Sequence, residues 1–377
     1  MQASGNAEAS SHRTKSRPDY RKELLIDEKF WRDLQPYLAT KGYMLRPRYM
    51  PNWTPSWKDG DFVLDFEDST VNLRSPIMDA TRISDGELVV LKRVFPSDHP
   101  QEVEMTQYFS TEPVRSHPHN HCVPLLDTFE VPDYSDSQRL EILVLPCLRE
   151  FNDPPMKTIG EAVEFFRQIF EGLQFMHSLH IAHRDAMVLN IMMDPKPMYP
   201  NMFHPVKKFL NRNFKGKAKH YTRTARPTKY YFIDFGLSCR YDPENGSPRD
   251  IPIFGGDKSV PEFIANPDQP HNPFPTDIYY VGNVIRDRFL NHKTHGLEFM
   301  SSLVNDMTQD DPESRPEIDE VVSRFAVILK GLHWWTLRSR LVYLDETPFK
   351  SFRRYVEHWF RTTGHALFFR HALPTPS

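Results

Sequence analysis

Cysteine is scarce in this chain, and so is glycine. Three cysteines in 377 residues, Cys122, Cys147 and Cys239, lie far apart with no CxxC pair. That argues against a disulfide framework and against a structural zinc site, and predicts an intracellular, reducing setting, cytoplasmic or nuclear. No run of about 18 apolar residues occurs, so no transmembrane segment is expected. The first 20 residues have no apolar stretch behind their basic ones and read as a flexible tail. An excess of charge is missing as well: 47 Lys and Arg face 50 Asp and Glu, for a formal net charge of −3. The molecule as a whole is therefore no electrostatic trap for nucleic acid or membrane, and any such role must be local. Fifteen glycines against 33 prolines predict long, stiff connections, and the prolines cluster at 45–60, 152–156, 195–206 and 245–275.

What is present can build a large core, with 39% hydrophobic and 13% aromatic residues. "GELVVLKRVF" and "LEILVLPCL" are short apolar, β-branched runs that read as buried strands. From Thr158 the period changes. Thr158 with Glu161 makes a capping box, and Phe166, Ile169, Phe170 and Leu173 then recur on one helical face. Further helices are expected at 277–291, 296–307, 316–331 and 347–361. The order predicts an α+β, two-lobed layout, with a β-rich part to about residue 146, a larger α-helical part after it, and a cleft at the junction.

Several polar residues stand where chemistry is done. Lys92 ends a strand, Asp185 and Asn190 share a loop after the capped helix, and Asp234 follows the β-type run "YYFI". Phosphoryl transfer needs a cation to hold phosphates, oxygen ligands for Mg²⁺ and a carboxylate to orient the attacking hydroxyl. Lys92, then Asn190 with Asp234, then Asp185 would fill those roles.

With these residues in view, the chain resembles the protein kinase superfamily over roughly residues 60–335. "VVLK" is similar to the strand lysine motif, "HRDAMVLN" to the catalytic loop, and "DFG" at 234–236 to the magnesium loop. "VPE" at 260–262, "DIYYVG" at 277–282 and "DPESRP" at 311–316 follow in family order. The resemblance implies ATP and Mg²⁺ as cofactors and a protein hydroxyl as acceptor. It makes Asp185, Lys92 and Asn190 the catalytic residues and Asn190 and Asp234 the metal ligands. Lys92, Glu102, Val90, Asn190 and Asp234, with Pro146, Cys147 and Leu148 at the junction, would border the nucleotide. Glu262 should pair with Arg315 in a buried ion pair, and Asp277 should reach the backbone of the catalytic loop. The glutamate holding Lys92 is expected to be Glu102 rather than Glu104, because Met105 and Phe109 share the face of Glu102. A histidine of the "HPHNH" region, 117–121, is expected to pack near the DFG backbone.

Four departures accompany the likeness. Counting back from Lys92 through Gly86 puts the phosphate-covering glycines at Thr70, Asn72 and Ser75, and none is glycine; Pro76 removes an N–H there, while Arg74 offers a cation. Val90 stands where alanine is usual. Met187 replaces the lysine that neutralises the transferring group, a loss of roughly 10²–10³ in rate. Gly255 or Gly256 replaces the threonine that would bridge that lysine to Asp185. Lys92, Asp185, Asn190 and Asp234 are nonetheless intact, so nucleotide binding with weak or atypical transfer is expected. The alternative is a pseudokinase, a binding module on the same scaffold.

Two segments fall outside the motifs. The insertion 195–229 carries the basic residues Lys196, Lys207, Lys208, Arg212, Lys215, Lys217, Lys219, Arg223, Arg226 and Lys229 among aromatics. It reads either as a docking loop for an acidic protein partner or as a solvated insertion with an apolar anchor. The extension 336–377 contains "FKSFRRYVEHWFRTTGHALFFRHAL", aromatic and basic at helical spacing. Its two readings are an accessory helix packed on the larger part with its arginines in water, and a helix that binds a membrane surface.

Overall fold

The computed structural model describes residues 21–74, 76–132, 139–253, 255–291 and 293–376. The expected tail at 1–20 and the Ser75 position lie outside the described residues. The fold is mixed α and β, built on a curled antiparallel sheet. Its strands are β1 (Tyr43–Met44), β2 (Ile77–Arg82), β3 (Leu88–Val94), β4 (Asp127–Glu130) and β5 (Glu141–Pro146), in the spatial order β1-β2-β3-β5-β4. Short strands β6 (Arg149–Glu150), β7 (Ile181–Ala182), β8 (Ile191–Met193), β9 (Tyr230–Phe232) and β10 (Cys239–Arg240) follow; β6-β8-β9 form one small sheet and β10-β7 another. The helices are α1 (Ile26–Thr40), α2 (Pro100–Phe109), α3 (Ile159–Ser178), α4 (Pro261–Ala265), α5 (Pro273–Ile285), α6 (Ser301–Met307), α7 (Ile318–Gly331), α8 (Trp334–Arg338) and α9 (Pro348–Leu367).

The two-residue period of β3 sets what each face of the sheet meets. Val89 and Leu91 are buried on one face, in a cluster with Trp31, Leu34 and Leu38 of α1 and with Ile142 and Val144 of β5. Val90 lies on the other face and packs against the main helical cluster. Lys92 shares the Val90 face, so the alternation alone aims its ammonium at the helical part. α1 lies ahead of residue 60 yet covers the sheet. Its signal was the i, i+3, i+7 spacing of Trp31, Leu34 and Leu38. Arg48 is fully buried beside it and forks onto Glu28 at 2.8 and 3.0 Å, a bidentate pair that ties the connection after β1 to α1.

α3 is the axis of the helical part. Thr158 caps it, its hydroxyl accepting from the Glu161 N–H at 3.2 Å. The reciprocal half of the capping box differs from expectation. The Glu161 carboxylate accepts from Lys157 N at 2.7 Å and from Thr224 N and Oγ1 at 2.9 and 2.8 Å, so it anchors the insertion instead. Phe166, Ile169, Phe170 and Leu173 are buried as expected, Val163 is buried a turn ahead of them on the same face, and Phe165 is buried beside it. α5 begins before the expected residue 277, at Pro273, with the Asn272 side chain capping it, and widens into a π-turn at Arg286–Leu290. α9 runs past the expected 361 to Leu367.

The insertion holds no regular helix or strand, yet it is packed. Tyr199 and Phe203 are buried beneath the Arg149 guanidinium, 4.8 and 4.5 Å from their ring centres. Arg223 is buried and donates to the carbonyls of Phe151 and Pro154 and to the Tyr230 hydroxyl. Lys196 pairs with Glu87 at 2.7 Å, and Arg212 donates to Gly86 O and Thr81 Oγ1. His204 meets Glu67 at 2.9 Å. Part of the basic charge therefore fastens the insertion to the body, Lys196 and Arg212 to the sheet and Arg223 to the chain around Phe151. Lys215, Lys217, Lys219 and Arg226 stay exposed. Among the described residues no helix is long and apolar enough to cross a membrane.

Candidate functional site

Lys92 is the centre of the site. Its Nζ lies 2.6 Å from Glu102 Oε1 and 2.9 Å from Asp234 Oδ1. Glu102 is buried on the α2 face that also carries Met105 and Phe109. Glu104 on the same helix is exposed. A small cluster of Val94, Val103 and Leu143 holds α2 against the sheet. Burial works against the charge on Lys92, but Glu102 and Asp234 outweigh it and its pKa is raised. Burial also acts on Asp234, and there Lys92 prevails, so the carboxyl is held below the ordinary aspartate range. For Glu102 burial is the larger effect and its pKa is raised despite Lys92.

Asp234 sits in the left-handed region at φ 67°, which turns its carboxylate back toward Lys92. Phe235 behind it is fully buried against Phe109, ring centres 5.1 Å apart. Gly236 passes so close to α2 that an added Cβ would lie 2.9 Å from Glu102 Oε2. The sheet, α2 and the 234–236 turn therefore form one packed unit around an ammonium and two carboxylates.

The loop 183–190 supplies the second half of the site. Asp277, buried on α5, accepts from the backbone N–H groups of His183 and Arg184, both at 2.7 Å. That brace holds Arg184 at φ 66° and presents Asp185. His183 Nε2 lies 3.1 Å from Ile233 O, linking this loop to the Asp234 turn. The "HPHNH" run lies beside β9, the strand that leads into the 234–236 turn: His121 O accepts from Phe232 N at 2.7 Å, His121 Nδ1 lies 2.8 Å from Tyr230 O, and burial pushes its pKa down to about 3.

Asn190 Nδ2 donates to Asp185 Oδ2 at 2.7 Å and to Asp185 O at 3.0 Å. Turning its amide nitrogen there leaves the amide oxygen for a cation. Asp185 Oδ1 accepts from Gly256 N at 3.0 Å. Burial raises the Asp185 pKa against the opposing pull of the Gly256 N–H, His183 and Asn190.

Met187 and the two glycines interlock. Met187 is buried, and its sulfur accepts from Leu189 N at 3.1 Å. A Cβ added at Gly256 would lie 2.5 Å from Met187 Cε, and one at Gly255 would lie 2.2 Å from Asp185 Oδ1. Sequence reasoning found both substitutions but not their fit: a backbone N–H here takes over the contact to Asp185 that a threonine and a lysine would otherwise share. Gly255→Ala is expected to push the Asp185 carboxylate off its partners. If the site carries phosphoryl transfer, a rate at least tenfold lower with a melting midpoint within a few degrees of the parent is the expected outcome. An unchanged rate would show that this contact plays no part in aiming Asp185.

Further from the centre, Arg315 and Glu262 form the expected buried pair, with Nη2 to Oε2 at 2.6 Å and Nη1 to Oε1 at 2.9 Å. At the junction Val90 is half-buried opposite Leu145 of β5. Pro146 is half-buried, while Cys147 and Leu148 turn their side chains into the helical core. Burial pushes the Cys147 thiol up to about 12. What these two could offer a ligand is backbone.

The phosphate-covering turn expected at 70–75 is not a hairpin turn. β1 pairs with β2, yet a long connection lies between them, whose described residues 45–74 hold three short 3₁₀ turns at Pro47–Tyr49, Val63–Asp65 and Glu67–Ser69. Within it Thr70 is buried, its carbonyl accepting from Arg46 Nη1 at 3.2 Å. Asn72 folds the chain by donating to Ile77 O at 2.6 Å and accepting from Arg74 N at 3.0 Å. An asparagine side chain thus closes a turn that glycine would otherwise permit, and Arg74 is left exposed.

Among the described residues no group of three or more His, Cys, Asp or Glu has the geometry of a metal site. The Asn190 amide oxygen and the Asp234 carboxylate, on segments joined by the Ile233 N–H to Asn190 O bond at 2.9 Å, are oxygen donors of the kind a magnesium ion takes beside phosphates and water. No protein-family model matches the chain, and no curated protein matches it.

Proposed function

We propose that this chain is a protein kinase-like phosphotransferase of two lobes, which binds ATP with Mg²⁺ and passes the γ-phosphoryl group to a protein hydroxyl at a low rate. The observation that carries the reading is the meeting of the Lys92–Glu102–Asp234 cluster with the Asp185–Asn190 pair, joined by the Ile233 N–H to Asn190 O bond at 2.9 Å and by His183 Nε2 against Ile233 O at 3.1 Å. A charged ammonium, an ionised carboxylate and an amide oxygen are a donor set for a magnesium-bound polyphosphate.

Bound MgATP would supply the transferable group and the charge of the metal. Lys92, fixed by Glu102, would hold the phosphates, and Asp234 and Asn190 would ligate the metal. Asp185, its carboxylate aimed by Asn190 and Gly256, would accept the proton of the attacking hydroxyl. Val90, with the backbone at Pro146, Cys147 and Leu148, would border the base. Met187 leaves the developing charge on the phosphoryl group without a lysine, which is why the rate is low.

A second reading, a binding module without transfer, rests on Met187 and on the long 45–76 connection in place of a glycine-rich turn. In that case the exposed Lys215, Lys217, Lys219 and Arg226 are the candidate contacts for an acidic protein.

Single-turnover transfer from labelled ATP to a generic protein substrate separates the two. The parent should transfer slowly. Met187→Lys should raise the rate by up to about 10²-fold once its ammonium follows the methionine's path past Gly256. Tight MgATP binding with background transfer in both proteins would favour the binding module.

A further inference from the structure

α9 is amphipathic in the reverse of the usual sense. An accessory helix normally buries its apolar stripe and wets its charges. Here the polar side faces the body. His358 is buried, and Ser351, Arg354, Arg361 and Thr362 on the same side are half-buried. Arg340 is fastened across that seam, pairing with Glu346 at 2.7 Å and donating to Ser351 at 2.9 Å, while Arg354 pairs with the other oxygen of Glu346 at 2.5 Å. The aromatic side is turned outward, with Phe349 79%, Phe352 67%, Trp359 53% and Phe360 78% exposed. Phe368 and Phe369 continue it past the end of the helix, 78% and 90% exposed. Of the two expectations for this segment, packing on the body holds; Arg353 and Arg370 are in water as expected, whereas Arg354 and Arg361 are half-buried at the seam. The ion pairs at Glu346 select the polar side as the seam.

An outward aromatic stripe on a helix of 20 residues, about 30 Å long, calls for a cover, and the charges beside it restrict what that cover is. Leaving aside Arg354, which Glu346 takes, Lys350, Arg353, Arg361 and Arg370 lie between 348 and 371 against a single acid, Glu357. Glu357 is shared by Arg353 and Arg361, at 3.4 and 3.9 Å, so positive charge remains along the stripe. A second copy of the chain would bring like charges together. A groove that wraps the helix would need the polar side, which Glu346 and Arg340 already occupy. A flat anionic surface with an apolar interior meets both demands. Trp and Phe sink to the headgroup boundary, and Lys and Arg stay at the phosphates.

We propose that α9 is a peripheral membrane anchor, which lays its outward aromatic face on a bilayer containing anionic lipid. The net charge of the molecule, −3, requires such attraction to be local, and this helix is where the basic and aromatic residues coincide. None of its residues belongs to the Lys92 site, so the anchor stands or falls apart from the proposed chemistry.

The test is flotation of the full chain with vesicles of phosphatidylcholine alone, and with vesicles in which about a third of the lipid is phosphatidylserine. The chain should float with the anionic vesicles and only weakly with the neutral ones, and added salt should weaken the binding. The double variant Phe352→Glu/Phe360→Glu should bind at least tenfold more weakly, with an unchanged melting midpoint because both side chains are already exposed. Lys350→Gln and Arg370→Gln should each weaken binding by about fivefold. No flotation with anionic vesicles, or flotation that the double variant retains in full, would overturn the proposal. So would a dimer in sedimentation that the double variant dissociates while the parent ignores vesicles, since the cover would then be a second copy.

Discussion

Arg315→Ala should lower the stability of the fold by about 3–5 kcal/mol, because it leaves the Glu262 carboxylate buried without its partner. Both side chains are buried, and the guanidinium also donates to the carbonyls of Gln309 and Pro275 at 2.8 and 3.0 Å. Besides the arginine, Glu262 accepts from the Thr276 hydroxyl at 2.8 Å and from its own backbone N–H, and neutral bonds do not offset a desolvated charge. The pair also has a pH signature. Burial acts to raise the Glu262 pKa, but the arginine outweighs it and the folded pKa is depressed. The stabilisation is therefore complete above the pKa of an ordinary glutamate and is lost as pH falls from there through the lower folded value. Urea denaturation of parent and variant at neutral pH and at pH below 4 checks both parts. The gap in stability should be large at neutral pH and narrow in acid, whereas equal midpoints at neutral pH would show that the pair braces nothing.

Asp185→Ala should cost about 10²–10⁴ in transfer rate. The carboxylate is aimed by two donors, Gly256 N and Asn190 Nδ2, and in the proposed reaction it is the group that accepts the hydroxyl proton. The best background for the measurement is Met187→Lys, where the rate to be lost is greatest. Single-turnover transfer should fall to background while MgATP affinity changes little, because Lys92, Asn190 and Asp234 remain. Transfer that survives the loss of Asp185 would assign the proton to another group and remove this residue from the reaction.

The central cluster was legible because its logic is local. The β3 alternation turns Lys92 to the Val90 face, and Met105 and Phe109 mark which glutamate of α2 looks inward. The braces Asp277 and Arg315 were legible only through motif order, since nothing in their local sequence says what they touch. Gly255 and Gly256 stood out as missing a threonine, but their contacts to Asp185 and Met187 join residues some 70 positions apart, and composition carries no trace of them. The insertion read as a basic run, yet Lys196, Arg212 and Arg223 turn part of that charge into internal fastening, and Tyr199 and Phe203 anchor it beneath Arg149. In α9 the periodicity marked two faces without saying which one the body covers. That choice was made by Glu346, Arg340 and Ser351, short-range partners whose effect appears only once the chain is folded.

The central claim is that Lys92, Asp234 and Asn190 together hold a magnesium-bound nucleotide, and a thermal-shift titration with ATP, with and without Mg²⁺, tests it most directly. A ligand that binds only the native state raises the midpoint in proportion to the logarithm of its concentration over Kd, by about 2.7 kcal/mol of added stability at a hundredfold excess over Kd. The account predicts a concentration-dependent rise with MgATP, a smaller one with ATP alone, and loss of the magnesium-dependent part in Asp234→Asn. A midpoint that stays flat with MgATP, or that rises equally in Asp234→Asn, would contradict it.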